Sequence, residues 1–216
     1  VEQNVGHFIT FEGVEGCGKT TQIRLLGERL CAAGLEVVMT REPGGCRIAD
    51  KIRALLLDAD NSGMSSLTEL LLYAAARAQH MRDVVCPALA AGKVVLCDRF
   101  TDATVAYQGF GRGIDLATIQ HLNQLACQSV EPNLTVLIDC SPETGLRRAR
   151  RRIEATRGPR EERFELEDIS FHQRVRNGYL QLATDNPERF ITFDGGGSIK
   201  DIAAGIATSV LQRMKV

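Results

Sequence analysis

The sequence predicts an α/β fold on a mostly parallel sheet, and three observations carry that prediction. Short β-branched runs alternate with amphipathic helical stretches, the pattern that lays helices over a parallel sheet. A glycine loop, Gly13-Val14-Glu15-Gly16-Cys17-Gly18-Lys19-Thr20, stands between the first such run and the first helical stretch. Charged residues follow several strand runs directly, and ligands of such sheets bind beyond the C-terminal strand ends. The 216 residues suit one domain, 1–216, with room for a small inserted lid.

The elements follow in order. Phe8–Phe11 reads as the first strand and Thr20–Ala33 as its helix, stopped by Gly34, a residue suited to the turn after a helix. Glu36–Thr40 is the second strand, and Arg41–Cys46, with Pro43, Gly44 and Gly45, is a turn. Arg47–Leu57 is a helix whose core face is Ile48, Ile52, Leu55 and Leu56. Asp58–Ser66 is a polar loop, Leu67–Val85 a long helix and Pro87–Ala91 a short one before Gly92. Lys93–Cys97 is the third strand, and Thr101–Gly113, bearing glycines, reads as a mobile loop. Leu116–Ser129 is a helix, Leu134–Asp139 the fourth strand and Glu143–Ile153 a strongly basic helix broken by Gly158–Glu162. Ile169–Ala183 is a helix, Phe190–Phe193 the fifth strand, and Ile199–Met214 the closing helix, with Ile202, Ile206 and Val210 in register.

Composition narrows the function classes. Twenty-six basic residues meet twenty-seven acidic ones, so nothing global points to nucleic acid or a membrane surface. Seven cysteines, at 17, 31, 46, 86, 97, 127 and 140, form no C-x-x-C pair, which argues against a disulfide framework or structural zinc. Cys17 lies in the glycine loop, where it is either a reactive thiol or a small loop-filling residue, and the second reading is favoured. No basic-then-apolar leader and no window of eighteen apolar residues is present, so the cytoplasm is the expected compartment.

The glycine loop fits G-x-x-x-x-G-K-[ST], the Walker A pattern, in the strand–loop–helix context the pattern needs. Its glycines let successive backbone N–H groups turn toward phosphate, and the following helix N-terminus adds unsatisfied N–H groups. Lys19 is expected to reach the β and γ phosphates and Thr20 to offer its hydroxyl to magnesium. Asp98, directly after Val94-Val95-Leu96-Cys97, sits where a magnesium-side carboxylate belongs, and Arg99 beside it suits a phosphate. Asp139 occupies a similar strand end, but Ser141-Pro142-Glu143 after it looks like a helix start, so helix capping is its expected role.

Arg147, Arg148, Arg150, Arg151, Arg152, Arg157, Arg160 and Arg163 crowd one stretch. Such a run is a solvated face, a nucleic-acid patch or a lid. Gly158-Pro159 breaks it and Glu154, Glu161, Glu162, Glu165 and Glu167 dilute it, so an arginine-rich lid at about 151–165 is expected to close over a transferring phosphoryl group. Tyr73 and Arg77, four apart on one helical face, pair an aromatic plate with a cation, as a nucleobase carrying a phosphate would need. Arg53 is unremarkable by itself. The polar, glycine-rich Tyr107-Gln108-Gly109-Phe110-Gly111-Arg112-Gly113 is able to bring an amide to a base edge.

The ordered segments Phe11–Thr20, Thr40–Gly45, Glu69–Gln79, Asp98-Arg99-Phe100 and Ala106-Tyr107-Gln108-Gly109 resemble the bacterial thymidylate kinases over nearly the whole chain. The resemblance implies a P-loop NTPase fold of the nucleoside monophosphate kinase type, with a five-stranded parallel sheet flanked by helices and a small lid. It implies transfer of the γ-phosphoryl of ATP to dTMP, with Mg2+, giving ADP and dTDP for dTTP synthesis. It implies ATP binding by Gly13, Gly16, Cys17, Gly18, Lys19, Thr20 and Thr21, with magnesium near Thr20, Asp98 and Glu42. Carried over by motif, Glu15 lies near the acceptor 3′-hydroxyl and Glu42 and Pro43 wall the acceptor site. Arg53, Arg77 and Arg99 hold the acceptor phosphate, Tyr73 stacks on thymine, Gln108 reads its edge and Thr104 lies nearby. Lys19, Arg99, Arg163 and Glu15 are the implied catalytic group.

Two departures stand out. Tyr73 replaces the usual phenylalanine, adding a hydroxyl. Gly16 stands where one branch of the family has a catalytic arginine, which implies the branch with lid arginines. Arg163, in Glu162-Arg163-Phe164-Glu165, matches that lid segment, while Arg152 and Arg157 are weaker candidates in a stretch longer than usual. A homodimer through Leu67–Val85 and Leu116–Ser129 is the family's expected assembly, although the same patterns suit a monomer core. Another deoxynucleoside monophosphate or deoxynucleoside kinase is the alternative enzyme. A nucleic-acid-binding protein is the alternative outside enzymes, and no nucleic-acid or membrane partner is expected.

Overall fold

β1 (His7–Glu12) lies at the centre of the sheet in a computed structural model that describes residues 6–155 and 162–214. With β2 (Val37–Arg41), β3 (Val94–Asp98), β4 (Leu134–Asp139) and β5 (Phe190–Asp194) it forms a sheet in the order β2-β3-β1-β4-β5. Every neighbouring pair is parallel, so each connection is a helical crossover rather than a hairpin. The five expected strands are all present.

The period of two along the strands sorts the core into two layers. Phe8, Val95 and Cys97 join Met81, Val85 and Phe100 in one cluster. Ile9, Phe11, Val94 and Leu96 join Leu26 and Leu30 of α1 (Lys19–Ala32) in the other. Burying each such leucine or phenylalanine stabilises the fold by about 1.5–3 kcal/mol. Register then aligns the strand ends. Phe11 and Arg41 are both level with Asp98, and Asp139 is level with Asp194. The loops after β1, β2 and β3 therefore open on one edge, beside the point where the chain order reverses around β1.

Capping fixes the helix starts. In α3 (Ser66–His80) Thr68 N–H donates to Ser65 Oγ, and in α6 (Leu116–Cys127) Thr118 N–H donates to Asp115 Oδ2 at 2.9 Å. α2 (Arg47–Leu57) has the expected bounds but not the expected core face: Leu56 is buried with Ala49, whereas Ile48 and Leu55 are exposed, because the helix packs on α3 by its other side. The predicted helix Leu67–Val85 does not end before Pro87. It runs on from α3 through a π turn, Met81–Val85, into α4 (Cys86–Ala90).

Two expectations are corrected. Thr101–Gly113 is not a mobile loop: α5 (Thr101–Thr104) leads into a π-helical segment, Val105–Gly111, packed on α8 (Ile169–Asp185). A Cβ on Gly111 would stand 2.7 Å from the Phe171 ring, so this glycine serves close packing rather than flexibility. Asp139 does not cap α7 (Pro142–Ala155). Ser141 Oγ accepts the Thr144 N–H at 3.3 Å, while Asp139 takes a bidentate pair from Arg176 at 2.7 and 2.8 Å. The planar guanidinium fork outcompetes a cap for a carboxylate it can meet with both donors. The chain closes with α9 (Ile199–Met214), and no helix among the described residues is long and apolar enough to cross a membrane.

Candidate active site

A cleft of about 1320 Å³ opens along the C-terminal strand edge, with the glycine loop at one end and Tyr73 and Gln108 at the other. The loop needs its glycines. Gly13 has φ 136° and Gly16 φ 65°, and a Cβ on Gly16 would stand 2.1 Å from the Gly145 carbonyl oxygen. No arginine fits there, which agrees with the sequence departure noted at this position. Lys19 is buried, and its ammonium donates to the Gly13 and Val14 carbonyl oxygens at 3.0 Å each. Thr20 Oγ1 donates to Asp98 Oδ2 at 3.1 Å, bringing the expected magnesium-side pair together. Cys17 is buried in the core beneath the loop, as the loop-filling reading requires.

Arg99 stands between the two ends. Its φ of 69° is a left-handed backbone, which costs a non-glycine residue roughly 1–3 kcal/mol. The Phe100 N–H donating to Glu12 Oε1 at 2.7 Å helps hold that turn. The Arg99 guanidinium donates to the Gly13 carbonyl and the Tyr179 hydroxyl through Nη1, and to Glu15 Oε1 and the Tyr107 hydroxyl through Nη2. The Tyr107 hydroxyl also donates to Glu15 Oε1, and His172 Nδ1 lies 3.2 Å from Glu15 Oε2, off the line of a good hydrogen bond. Burial alone would raise Glu15, but the His172 ring, the Arg99 charge and the Tyr107 hydroxyl outweigh it and lower the group to about 2. Glu12 goes the other way. Burial and the Asp102 charge push it up to about 8 against the pull of Arg99, Tyr179 and the Phe100 N–H.

Arg77 sits deeper than its expected phosphate role suggests. It is 2 % exposed and donates to Glu42 Oε2 (2.7 Å), Asn123 Oδ1 (2.7 Å), the Phe100 carbonyl (3.0 Å) and Thr104 Oγ1 (2.9 Å). Glu42 is closed on its other oxygen by His80 Nδ1 at 3.0 Å, so its carboxylate faces this buried cluster rather than the Thr20–Asp98 pair. Its backbone N–H, however, donates to the Asp98 carbonyl at 2.9 Å. Pro43, Arg53, Tyr73, Thr104 and Gln108 all line the cleft, and Arg53 Nη1 donates to the Pro43 carbonyl. Burial and the Glu69 charge raise the Tyr73 phenol, which stays a neutral ring against the cleft.

The lid arginines divide. Arg148 and Arg152 line the cleft, together with Glu162, Phe164 and Glu165. Arg163 does not. It is 5 % exposed, its Nη1 pairs with Glu69 Oε2 at 2.7 Å, and its guanidinium stacks on Phe164 at 4.6 Å. Arg157 and Arg160 lie outside the described residues, as does Gly158-Pro159. Arg147, Arg150 and Arg151 line a separate groove with Glu143, Glu154 and Glu167, a mixed surface that a polyanion would not favour.

Several residues of the site escape sequence reasoning. Tyr179 and His172, buried behind the cleft against Arg99 and Glu15, lie on a helix with no motif, and the cleft-lining Gly195 and Gly197 follow the last strand. Arg148, whose Nη1 donates to the Gly195 carbonyl at 3.2 Å, was one arginine among eight. The only sequence signal for the glycines is their place after a strand, on the edge where the cleft had to be.

Comparisons with known proteins agree with this geometry. The family model described as Thymidylate kinase matches residues 11–206. The Thymidylate kinase of Pelobacter propionicus is 65% identical over 208 residues, covering 96% of this chain and 95% of that one. That of Geotalea uraniireducens is 63% identical over 210 residues, covering 97% and 99%. A crystal structure of thymidylate kinase from Ehrlichia chaffeensis superposes with a TM-score of 0.75 at 35% identity, covering 95% of this chain and 99% of that one. The chain belongs to the thymidylate kinase family.

Proposed function

We propose that the cleft is divided between donor and acceptor, with ATP at the glycine-loop end and dTMP at the Tyr73–Gln108 end. The chain is a phosphotransferase that phosphorylates dTMP to dTDP with ATP. The observation that carries the division is Arg99, bonded at once to the Gly13 carbonyl of the donor loop and to the hydroxyl of Tyr107, in the π-helical segment that also bears Gln108. A guanidinium there meets the acceptor phosphate on the line toward the γ-phosphoryl.

At the donor end, the loop N–H groups from Gly13 to Thr21 and the Lys19 ammonium hold the phosphates. The purine rests where Arg148, Gly195, Gly197 and Ile199 line the cleft. Family membership implies Mg-dependent catalysis, and the Thr20 hydroxyl beside the Asp98 carboxylate is an all-oxygen pair that suits this hard cation. Magnesium supplies charge neutralisation on the phosphates, and Thr20 and Asp98 would hold it, with the Glu42 backbone fixed beside them.

At the acceptor end, Tyr73 packs on the base, Gln108 meets its edge, and Arg53 and Arg99 hold the phosphate. Arg77 acts from beneath, fixing Glu42 and Thr104. The nucleophile is a phosphate oxygen that is already anionic, so no strong base is needed and rate comes from alignment and charge neutralisation. A Glu15 carboxylate that stays ionised to about pH 2 is a poor base and a good hydrogen-bond acceptor for a sugar hydroxyl. Arg148 and Arg152 are the lid-side cations nearest the transferring group.

The test is a coupled ADP-release assay with ATP and magnesium against thymidine, dTMP, dUMP, dGMP and dAMP. The expected result is strong preference for dTMP with dTDP as product. Preference for another acceptor removes the base assignment, and no turnover with any of the five overturns the reading.

Exposed apolar side chains lie on packed neighbouring helices: Ile48 and Leu55 on α2, Leu67 and Leu71 on α3, Leu116 and Leu125 on α6. We infer a homodimer through these helices, since such a patch is costly to leave in water. Sedimentation giving a monomer at micromolar concentration overturns it.

A further inference from the structure

We propose that Glu69 is a positioning residue for base choice, because it fixes the Gln108 side-chain amide with its carbonyl oxygen toward the acceptor cleft. The inference rests on the reading of Gln108 as the residue that meets the base edge.

Glu69 and Gln108 are each 1 % exposed and come from different elements, α3 and the π-helical segment. Gln108 Nε2 donates to Glu69 Oε1 at 2.8 Å. Around the same carboxylate stand Arg112, whose Nε and Nη2 each donate at 3.2 Å, and Arg163, whose Nη1 lies 2.7 Å from Oε2. Burial would favour the neutral acid, but Arg112, Gln108 and Arg163 outweigh it and lower the Glu69 pKa. An ionised carboxylate accepts and never donates. The Gln108 group that faces it is therefore the NH2. Turning the amide over would set two oxygens against each other in a buried site and leave donors unmade.

Among the described residues the Gln108 side chain makes its one hydrogen bond through Nε2, Oε1 is not among the buried atoms left without a partner, and Gln108 lines the cleft, so the oxygen is open to it. The cleft is thus offered a hydrogen-bond acceptor. A pyrimidine with a ring N–H at that edge, such as thymine or uracil, can donate to it. Cytosine, whose N3 carries a lone pair there, cannot. The polarity of the base pocket is set one residue away from the base. Arg112 and Arg163 take part by holding Glu69 ionised and still.

The experiment compares kcat/KM for dTMP and dCMP in Glu69→Gln. An amide at 69 can donate or accept, so Gln108 is free to turn over, and the dTMP/dCMP ratio is expected to fall about tenfold or more. Because this change also loosens Arg112 and Arg163, the double exchange Glu69→Gln, Gln108→Glu is the control. There the amide at 69 donates to a carboxylate at 108, which still turns an acceptor oxygen to the cleft, and the ratio is expected to return close to the wild-type value. A ratio that stays low in the double exchange overturns the proposal, since the loss then comes from a distorted pocket. Should Glu69→Gln fail to fold, the double exchange alone decides by the same criterion. Gln108→Leu separates the two readings. If it collapses the ratio while Glu69→Gln leaves it unchanged, the positioning role falls and base reading by Gln108 stands. If Gln108→Leu leaves the ratio unchanged, both fall.

Discussion

The two ends of the cleft are built in opposite ways. The phosphate cradle of the donor end is one unbroken stretch, Gly13 to Thr20, that works through its backbone and needs few side-chain partners beyond Lys19 and the Thr20–Asp98 contact. The acceptor end is assembled from β2, α2, α3, the π-helical segment and α8, and works through buried side chains that bond one another. Arg77 alone ties Glu42, Asn123, Phe100 and Thr104 together. A backbone cradle recognises phosphate, which every nucleoside triphosphate carries. A network of side chains recognises one base and one sugar, and its cost is that the same contacts also hold up the fold. Damage to the donor end should therefore slow all acceptors alike, and damage to the acceptor end should appear in stability and selectivity.

The sharpest way to break this comparison is Arg77→Met. It leaves the Glu42 carboxylate buried with only His80 beside it, and loss of one partner of such a pair costs about 3–5 kcal/mol. Denaturant unfolding is expected to show that loss. A variant as stable as the parent would mean the acceptor network carries recognition without carrying stability. Next in size is Lys19→Ala, expected to lower kcat by about 100- to 1,000-fold, as for loss of a transition-state charge contact. The fold loss should be the same with dTMP and with dUMP. A loss that depends on the acceptor would show that the two ends are not separate.

The same contrast explains what could be read from the sequence. The donor end is contiguous, so its motif names Gly13, Lys19 and Thr20 directly, and the strand ends after Arg41 and Asp98 follow from alternation alone. The acceptor end is legible only where a residue falls inside a family segment, as Tyr73 and Gln108 do. Glu69 lay in such a segment without a role, because its partners Arg112 and Arg163 are 43 and 94 positions away by sequence number. Tyr179 has no local signal at all: its partners are Arg99 and Glu12, on the other side of the sequence. Thr101–Gly113 was misread for a related reason. Its glycines suggest a loop when only local propensity is weighed, but Gly109 and Gly111 admit Leu116 and Phe171 at close range, and that packing overrides propensity.

A smaller effect comes from the buried carboxylates next to Arg99. Glu12 titrates near 8 in the fold against an ordinary 4.5, so between those values the folded state binds more protons than the unfolded one. Its contribution is full below about pH 4.5 and is lost as pH rises through 8, a slope of up to about 1.4 kcal/mol per pH unit. Glu15, lowered to about 2, contributes in the opposite sense, and that contribution is lost only as pH falls below 4.5. Glu12→Gln should flatten the stability profile between pH 5 and 8 relative to the parent, as followed by urea unfolding at several pH values. An unchanged slope there would show that Glu12 does not carry the proton.

The smallest expected effect, and the one that most sharpens the boundary between the two ends, is Arg163→Ala. The sequence assigns Arg163 to the transferring phosphoryl group, whereas the structure seats it on Glu69, stacked over Phe164 and away from the cleft lining. In that seat it belongs to the acceptor network. Its removal should lower kcat/KM for dTMP by about tenfold, mainly through KM, because Glu69 loses one of the charges that hold it and Gln108 in place. Steady-state kinetics with dTMP varied at saturating ATP separates the cases. A loss of several hundredfold in kcat with KM unchanged would mean that Arg163 leaves Glu69 during turnover and reaches the donor end. The lid would then carry a cation from one half of the cleft to the other, and the division drawn above would hold only between catalytic cycles.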